Sequence, residues 1–222
     1  MSDDLQRRAG MHAALGDPTR LAIVDDLTRS DRSPRELSER HGLTSNLLAH
    51  HLDVLDDAGL ITRTVSAGDR RRRYVRLSDD PTVRRFTRSS RPTRPVLFLC
   101  SHNSARSQLA AALWRSRTGL AADSAGTHPA PQVHRRAVSV GRRHGLDLTS
   151  AIPRSITRIP ARTQVITVCD NAHEELSPTA DWWHWSIPDP VEVDTDAAFD
   201  DVIDELNTRI DHLIDDQQGV AR

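Results

Sequence analysis

The chain has 222 residues, an ordinary hydrophobic content of 37% and a formal net charge of −1, a size that suits two modest domains, each burying its own core. No apolar run approaches the ~18 residues of a membrane span, and the Met1-Ser-Asp-Asp start lacks the basic-then-apolar plan of a secretory signal. A cytoplasmic protein without membrane partners is expected, and two cysteines, Cys100 and Cys169, are too few for a disulfide framework.

Charge is unevenly spread. Residues 1–94 carry 18 Arg against 14 Asp and Glu, a net of +4, whereas residues 95–222 carry 12 against 17, a net of −5. The halves therefore have different partners. Every basic residue is arginine, whose planar fork suits phosphate.

Residues 5–15 form a short helical pattern that stops at Gly16. Asp17 before Pro18 is an N-cap followed by the residue best tolerated in a first turn, and Leu21, Ile23, Val24 and Leu27 give the next helix its apolar face until about Ser30. Ser33, with Glu36 three residues on, repeats the start signal for a helix ending at His41-Gly42. Thr44 opens another, with Leu47, Leu48, Leu52 and Leu55 on one face until Ala58-Gly59. Two helices joined by a tight, glycine-containing turn predict a helix-turn-helix. Residues 60–65 and 72–77 then alternate apolar and polar side chains around Ser66-Ala-Gly-Asp69, which predicts a hairpin. Arg70, Arg71, Arg72 and Arg73 decorate its tip and returning strand, and Arg63 lies on the outgoing one. A charge run is commonly a solvated face, but a basic hairpin directly after a helix-turn-helix has a use in phosphate contact beside a groove.

The phrases Leu15-Gly-Asp-Pro-Thr-Arg-Leu21 and His50-His-Leu-Asp-Val-Leu-Asp-Asp-Ala-Gly-Leu-Ile61 resemble the ArsR-type winged-helix repressors over residues 8–80. The resemblance implies an α+β winged helix-turn-helix domain in residues 1–80 whose recognition helix spans residues 44–58. Thr44, Ser45, Asn46, His50 and His51 are then candidates for base or phosphate contact. It also implies a homodimer on an operator with two half-sites. Many such repressors sense arsenic or metals through cysteines on the helix before the recognition helix; residues 33–41 have none, and neither does any residue before Cys100. Adjacent His50 and His51 point to different sides of a helix, which favours DNA contact or packing over metal binding.

Asp79-Asp-Pro81 closes the hairpin, and residues 81–94, with five Arg, read as a short helix and a linker. Beyond it, residues 96–99 are a short apolar strand and residues 105–117 a helix. Residues 121–125 form a strand ending in Gly126-Thr127, residues 132–144 a helix stopped by Gly145, residues 164–168 a strand, and residues 182–187 a strand with Trp183, Trp185 and Ile187 on one face. The last helix runs over residues 197–216, with Phe199, Val202, Ile203, Leu206, Ile210, Leu213 and Ile214 at helical spacing. Strands alternating with helices predict an α/β domain over residues 95–222, a four-stranded parallel sheet covered on both faces in three α/β/α layers, with its ligand site at the carboxyl ends of the strands. Cys100, Cys169 and Asp189 all follow strands and so face one rim.

Between the first strand and its helix lies Cys100-Ser-His-Asn-Ser-Ala-Arg106-Ser107. A compact polar loop opening into a helix cradles an oxyanion, because the first N–H groups of a helix lack internal partners. Ser101, His102, Asn103, Ser104, Ala105 and Arg106 would surround the anion. A sulfur facing those groups and a guanidinium should ionise more readily than free cysteine, making Cys100 a nucleophile, with Arg106 gripping the oxyanion and Ser107 donating its hydroxyl to the thiolate. An inert strand-end cysteine fits a bare C-x5-R pattern equally well. Asp189, held in Ile187-Pro-Asp-Pro190, could act as general acid or base over the same site, although alone it reads as a turn residue before proline. No histidine spacing suggests a metal; His128, His134, His173 and His184 read mostly as surface residues.

This loop, with Asp123-Ser-Ala-Gly-Thr127, Val165-Ile-Thr-Val-Cys-Asp170 and Trp185-Ser-Ile-Pro-Asp189-Pro190 in order, resembles the low-molecular-weight protein tyrosine phosphatases and the arsenate reductases built on the same phosphatase I, flavodoxin-like fold. The resemblance covers residues 95–217. It implies catalysis by Cys100, Arg106, Ser107 and Asp189 without a bound cofactor, on a phosphate or arsenate oxyanion. Cys169 matches the first resolving cysteine of thioredoxin-coupled reductases, whereas Leu176 stands where their next one would be. His102 replaces a common Gly and Ala105 a frequent second Cys, while Asn103, Ser104, Arg106 and Ser107 match the reductases. Val191 follows Asp-Pro where the phosphatases carry Tyr, which disfavours tyrosine phosphate. The expected protein is a transcriptional regulator fused to an arsenate reductase-like enzyme that draws on an external thiol or thiol-redox protein. Its alternatives are a phosphatase of phosphate esters and a catalytically silent oxyanion or redox sensor.

Overall fold

The computed structural model describes residues 3–87 and 92–214. The chain folds as two compact units, one built mainly from residues before 88 and one mainly from residues after 91.

The first unit begins with α1 (Asp3–Leu15), α2 (Pro18–Leu27), α3 (Pro34–His41) and α4 (Ser45–Asp57). Capping sets their starts. Asp17 accepts the Arg20 N–H at 2.9 Å, Ser33 and Glu36 exchange bonds in a capping box, and Thr44 accepts the Leu47 N–H at 3.5 Å. Gly42 ends α3 at φ +64, a left-handed turn that costs a glycine nothing sterically. β1 (Ile61–Val65) and β2 (Arg73–Leu77) pair antiparallel from Ile61 opposite Leu77 to Val65 opposite Arg73. Ile23, Leu27, Leu37, Leu52, Leu55 and Val75 meet in one core. The helix expected to reach Ser30 stops at Leu27, because Arg32 leaves to exchange two backbone bonds with Val75, at 3.0 and 2.7 Å, beside the hairpin. A single 3-10 turn (Val83–Phe86) follows, and the remaining linker at 88–91 lies outside the described residues.

The second unit is the expected four-stranded parallel sheet. β3 (Val96–Cys100), β4 (Ala122–Gly126), β5 (Gln164–Thr167) and β6 (Trp183–His184) lie in the order β4-β3-β5-β6. All five residues of β3 are buried, as a central strand covered on both faces requires. Val96, Phe98 and Cys100 face a core shared with α5 (Arg106–Thr118), α6 (Arg135–Arg143) and α9 (Asp196–Leu213), where Phe98, Trp114, Trp185 and Phe199 pack. Leu97, Leu99 and Val165 face the other way, under Ile156, Ile159, Leu176 and Trp182.

The second unit departs from expectation at β6, in two added short helices and at the start of α6. β6 is two residues long rather than six; Trp185 still donates its N–H to Thr167 O at 2.8 Å, but the prolines that follow cannot extend a ladder. Trp185 and Ile187 nonetheless share the core that Trp183 packs against, as their alternation predicts. Two short helices, α7 (Asp170–Leu176) and α8 (Pro190–Val193), were not anticipated; their starts are capped by Cys169 and Asp189. α6 starts at Arg135 rather than at Gln132, because the residues before it serve the anion loop. Residues 215 and 216 of the expected last helix fall outside the described residues. Among the described residues no helix is long and apolar enough to cross a membrane.

Candidate functional site

Residues 100–107 join β3 to α5, and their backbone is turned by the segment beside them. The carbonyls of Cys100, Ser101, His102 and Ser104 accept N–H groups from Thr127, His128, Ala130 and His134 at 3.2, 2.8, 2.9 and 2.8 Å. A trans peptide places its N–H opposite its carbonyl. The N–H groups of Ser101, His102, Asn103 and Ala105 therefore turn inward, and that of Asn103 reaches Cys100 Sγ at 3.2 Å. Ala105 precedes α5 as its N-cap and offers no capping side chain, so the first N–H groups of the helix add to the same donor set.

Asn103 holds the loop's shape. Its φ of +48 is left-handed, a region asparagine tolerates better than most residues. Its side chain donates to Ser107 Oγ at 2.9 Å and accepts from Gln108 Nε2 at 3.1 Å and the Arg154 N–H at 2.8 Å. Ser107 Oγ in turn lies 2.9 Å from Cys100 Sγ. Gly126 passes against this loop so closely that a Cβ there would lie 2.5 Å from Ser101 O. The sequence carried a signal for Gly126 in its place at a strand end, but none for Gln108 or for the backbone of Arg154.

Arg106 is buried, and its two terminal nitrogens are held by Ile187 O at 2.9 Å and Asp189 Oδ2 at 2.5 Å. The Asp189 carboxylate thus sits beside the anion loop, its other oxygen accepting the Val191 N–H at 3.1 Å. Cys169 is also buried. Its sulfur accepts the Ala172 N–H at the start of α7 and lies 3.4 Å from Ser101 Oγ. The structure therefore brings Cys100, Ser101, Asn103, Arg106, Ser107, Cys169 and Asp189 together; His102 is exposed and Ser104 half-buried at the rim.

Burial pushes the Cys100 thiol up and neighbouring Cys169 adds to the rise, while Arg106 and Ser107 pull it down. Two histidine expectations need correction. His173 and His184 are not surface residues. Both are buried and stack at 4.0 Å, and their Nδ1 atoms lie 2.8 and 2.9 Å from Thr167 Oγ1. His184 Nε2 meets Asp170 at 3.0 Å; burial opposes ionisation of that carboxyl, yet hydrogen bonds led by His184 hold it below the usual range. His128 is exposed as expected, and among the described residues no cluster could hold a metal ion.

In the first unit Ser45, Asn46 and His50 present exposed side chains on α4 beside exposed Thr44. His51 does not join them: it is buried, with Nδ1 3.9 Å from Asp17 Oδ1, so it packs the helix rather than facing out. Arg63 also differs from a simple phosphate contact, since Asp53 and Asp56 hold it at 2.5 and 3.2 Å. Arg70, Arg71, Arg72 and Arg73 are exposed at the hairpin tip and the start of β2.

Comparison with known proteins agrees with this division. The model of the family described as low molecular weight phosphotyrosine protein phosphatase matches residues 95–221, and a helix-turn-helix domain model matches residues 15–64. Among solved structures, the chain is similar to a thioredoxin-dependent arsenate reductase of Corynebacterium glutamicum (28% identity, 55% of this chain and 60% of that one, TM-score 0.45). It is also similar to an arsenate reductase of Archaeoglobus fulgidus (29%, 53% and 97%, 0.45) and to the tyrosine phosphatase Wzb of Escherichia coli K30 (24%, 52% and 92%, 0.46). The chain thus spans less than two thirds of the Corynebacterium protein's length.

Proposed function

Because the chain belongs, through residues 95–221, to the low molecular weight phosphotyrosine protein phosphatase family, we propose that it is an ArsR-type DNA-binding regulator joined to a cysteine-dependent arsenate reductase. The observation that carries this choice is the second sulfur. Cys169 Sγ lies 3.4 Å from the hydroxyl of Ser101, the residue that follows Cys100 in the anion loop. Hydrolysis of a phosphate ester needs one thiol, whereas reduction by this route needs two.

In this reading Cys100 passes its proton to the Asp189 carboxylate, the thiolate attacks arsenic, an As–O bond breaks, and Asp189 returns that proton to the departing oxygen. Arg106 and the inward N–H groups hold the remaining oxygens. An arriving oxyanion displaces Asp189 from Arg106 and leaves its carboxyl beside the oxygen it must protonate. Cys169 then passes its proton to an arsenic-bound oxygen and attacks Cys100 Sγ. The S–S bond forms, the S–As bond breaks with its electron pair passing to arsenic, and arsenite departs. Two thiols have become one disulfide and arsenic has gained two electrons. An external thiol or thiol-redox protein returns both sulfurs to the reduced state. The helix-turn-helix unit binds operator DNA as a dimer. With no cysteine before Cys100, any thiol signal starts at Cys100 or Cys169.

The test uses the purified chain with Cys100→Ser and Cys169→Ser. Arsenate reduction is measured with several thiol donors, ester hydrolysis with p-nitrophenyl phosphate, and operator binding with and without arsenate. Cys100→Ser should lose both activities, and Cys169→Ser should lose reduction alone. Reduction by Cys169→Ser at the wild-type rate would overturn the two-thiol route. Hydrolysis without any arsenate reduction would make the protein a phosphatase, and arsenate-dependent DNA release without turnover would make it a sensor.

A further inference from the structure

α7 carries Cys169 at its N-cap, and it is seven residues long, well short of the ~12–15 at which an isolated helix becomes even marginal in water. Side chains must therefore fix where it starts. Its apolar anchors are Ala172 and half-buried Leu176, whereas Asp170 and His173 on its first turn are buried and polar. Both polar side chains run to the ends of the neighbouring strands. His184 Nε2, on the last residue of β6, meets Asp170 Oδ1 at 3.0 Å. Thr167 Oγ1, on the last residue of β5, lies 2.9 Å from His184 Nδ1 and 2.8 Å from His173 Nδ1.

A proton count makes the Thr167 hydroxyl the hub of this network. When the Asp170 carboxylate accepts the His184 Nε2–H, Nδ1 of the neutral ring is an acceptor and takes the Thr167 proton. His173 then donates its Nδ1–H to Thr167 Oγ1. Trp183 O, at 3.3 Å, is the longer alternative for the Thr167 proton. Burying these groups adds little stability that apolar packing would not supply. Hydrogen bonds add direction, because they weaken steeply when bent or stretched, whereas apolar contact is non-directional.

Beside the network the two cysteines stand on adjacent chains. Val168 donates its N–H to Leu99 O at 2.7 Å, so each cysteine follows one partner of that bond. Resting on the reading of Cys169 as the second thiol, we propose that Thr167, His184 and Asp170 are positioning residues for it. They fix the first turn of α7 and so aim Cys169 Sγ at Cys100. Without the hydroxyl, His173 and His184 lose their shared partner, and the start of α7 can shift against β5 and β6 while the core beneath it stays packed.

The test places the full chain in glutathione buffers. Cys100 and Cys169 together give two electrons and two protons to one glutathione disulfide; their own S–S bond forms and two glutathione thiols leave. The ratio of disulfide to dithiol is read by mass after acid quenching and alkylation. Wild type should form the Cys100–Cys169 disulfide. Thr167→Val keeps the side-chain shape without the hydroxyl, and His184→Phe keeps a ring without the nitrogens; each should lower the equilibrium constant about tenfold or more. Thr167→Ser, which keeps the hydroxyl, should hold the wild-type value. Phosphate should still protect reduced Cys100 from iodoacetamide in all three variants, and retained dispersion of ¹⁵N amide signals shows that each is folded. A wild-type constant in folded Thr167→Val or His184→Phe would overturn the assignment alone. A loss in Thr167→Ser would overturn it in favour of simple packing, and loss of phosphate protection together with the disulfide in favour of general support of the site. Absence of the disulfide in wild type would overturn the two-thiol reading, and this assignment with it.

Discussion

Replacing Gly126 by Ala isolates the packing that shapes the anion loop. Gly126 has no left-handed φ, so alanine meets no backbone strain of its own there. Its Cβ would instead lie 2.5 Å from Ser101 O, 2.9 Å from Asn103 N and 3.1 Å from Asn103 Cβ. Comfortable separations between non-bonded heavy atoms are about 3.5–4.0 Å, so strand or loop must give by roughly an ångström. The strand is bonded on both edges, to β3 on one side and to Arg154 and Ile156 on the other. The loop therefore moves, carrying Asn103 away from Cys100 Sγ. Overpacking of this kind costs about 1–3 kcal/mol, or roughly 2–4 °C in unfolding midpoint per kcal/mol for a chain of this size. Misplacing reacting groups by about 1 Å lowers turnover roughly a hundredfold. The assays are thermal unfolding, p-nitrophenyl phosphate turnover, and protection of Cys100 from iodoacetamide by phosphate. Wild-type turnover and protection in Gly126→Ala would refute the claim that this contact sets the loop.

Because burial raises the Cys100 thiol, its alkylation by iodoacetamide should have a pH midpoint above that of a free thiol, and Arg106→Ala should move it higher still; a midpoint below the free-thiol range would mean that the loop donors outweigh burial. The linked stability has a definite sign. The folded state holds the proton longer than the unfolded one, so this contribution is full below the ordinary thiol range and declines as pH rises through it toward the folded value. Asn103→Ala removes bonds to Ser107, Gln108 and Arg154 and leaves a left-handed backbone to alanine. Roughly 2–4 kcal/mol of destabilisation should appear in denaturant unfolding of the C-terminal unit, and a change within error would place the loop's support elsewhere. Asp189→Asn should slow ester cleavage about 10²–10⁴-fold while phosphate binding stays equal or tightens, since Arg106 loses its ionic partner. Weaker phosphate binding in that variant would mean that the carboxylate orients Arg106 rather than competing for it.

Much of this was legible locally. The N-caps Asp17, Ser33 and Thr44 marked helix starts because a cap acts within three residues of itself. The apolar stretch at 96–99 marked a doubly covered strand, and the spacing of Cys100, Arg106 and Ser107 marked an anion loop. α7 and α8 were not legible: they span seven and four residues, too short for a period to show, and they are capped by the very residues read as functional. The late start of α6 is not legible for another reason. Its preceding N–H groups bond to loop carbonyls about thirty residues away in sequence.

The sequence by itself determined which chemistry-bearing groups exist and at which ends of strands they fall, because local propensity and alternation act over a few residues. Tertiary structure decided their states. It turned His51 inward and spent Arg63 on Asp53 and Asp56, and it buried His173 and His184 around Thr167. It placed Cys169 beside the loop and gave Arg106 to Asp189. It also raised the Cys100 thiol where the nearby donors alone would lower it. Burial is the common reason, since desolvation depends on every element packed around a group, and no short stretch of sequence contains that sum.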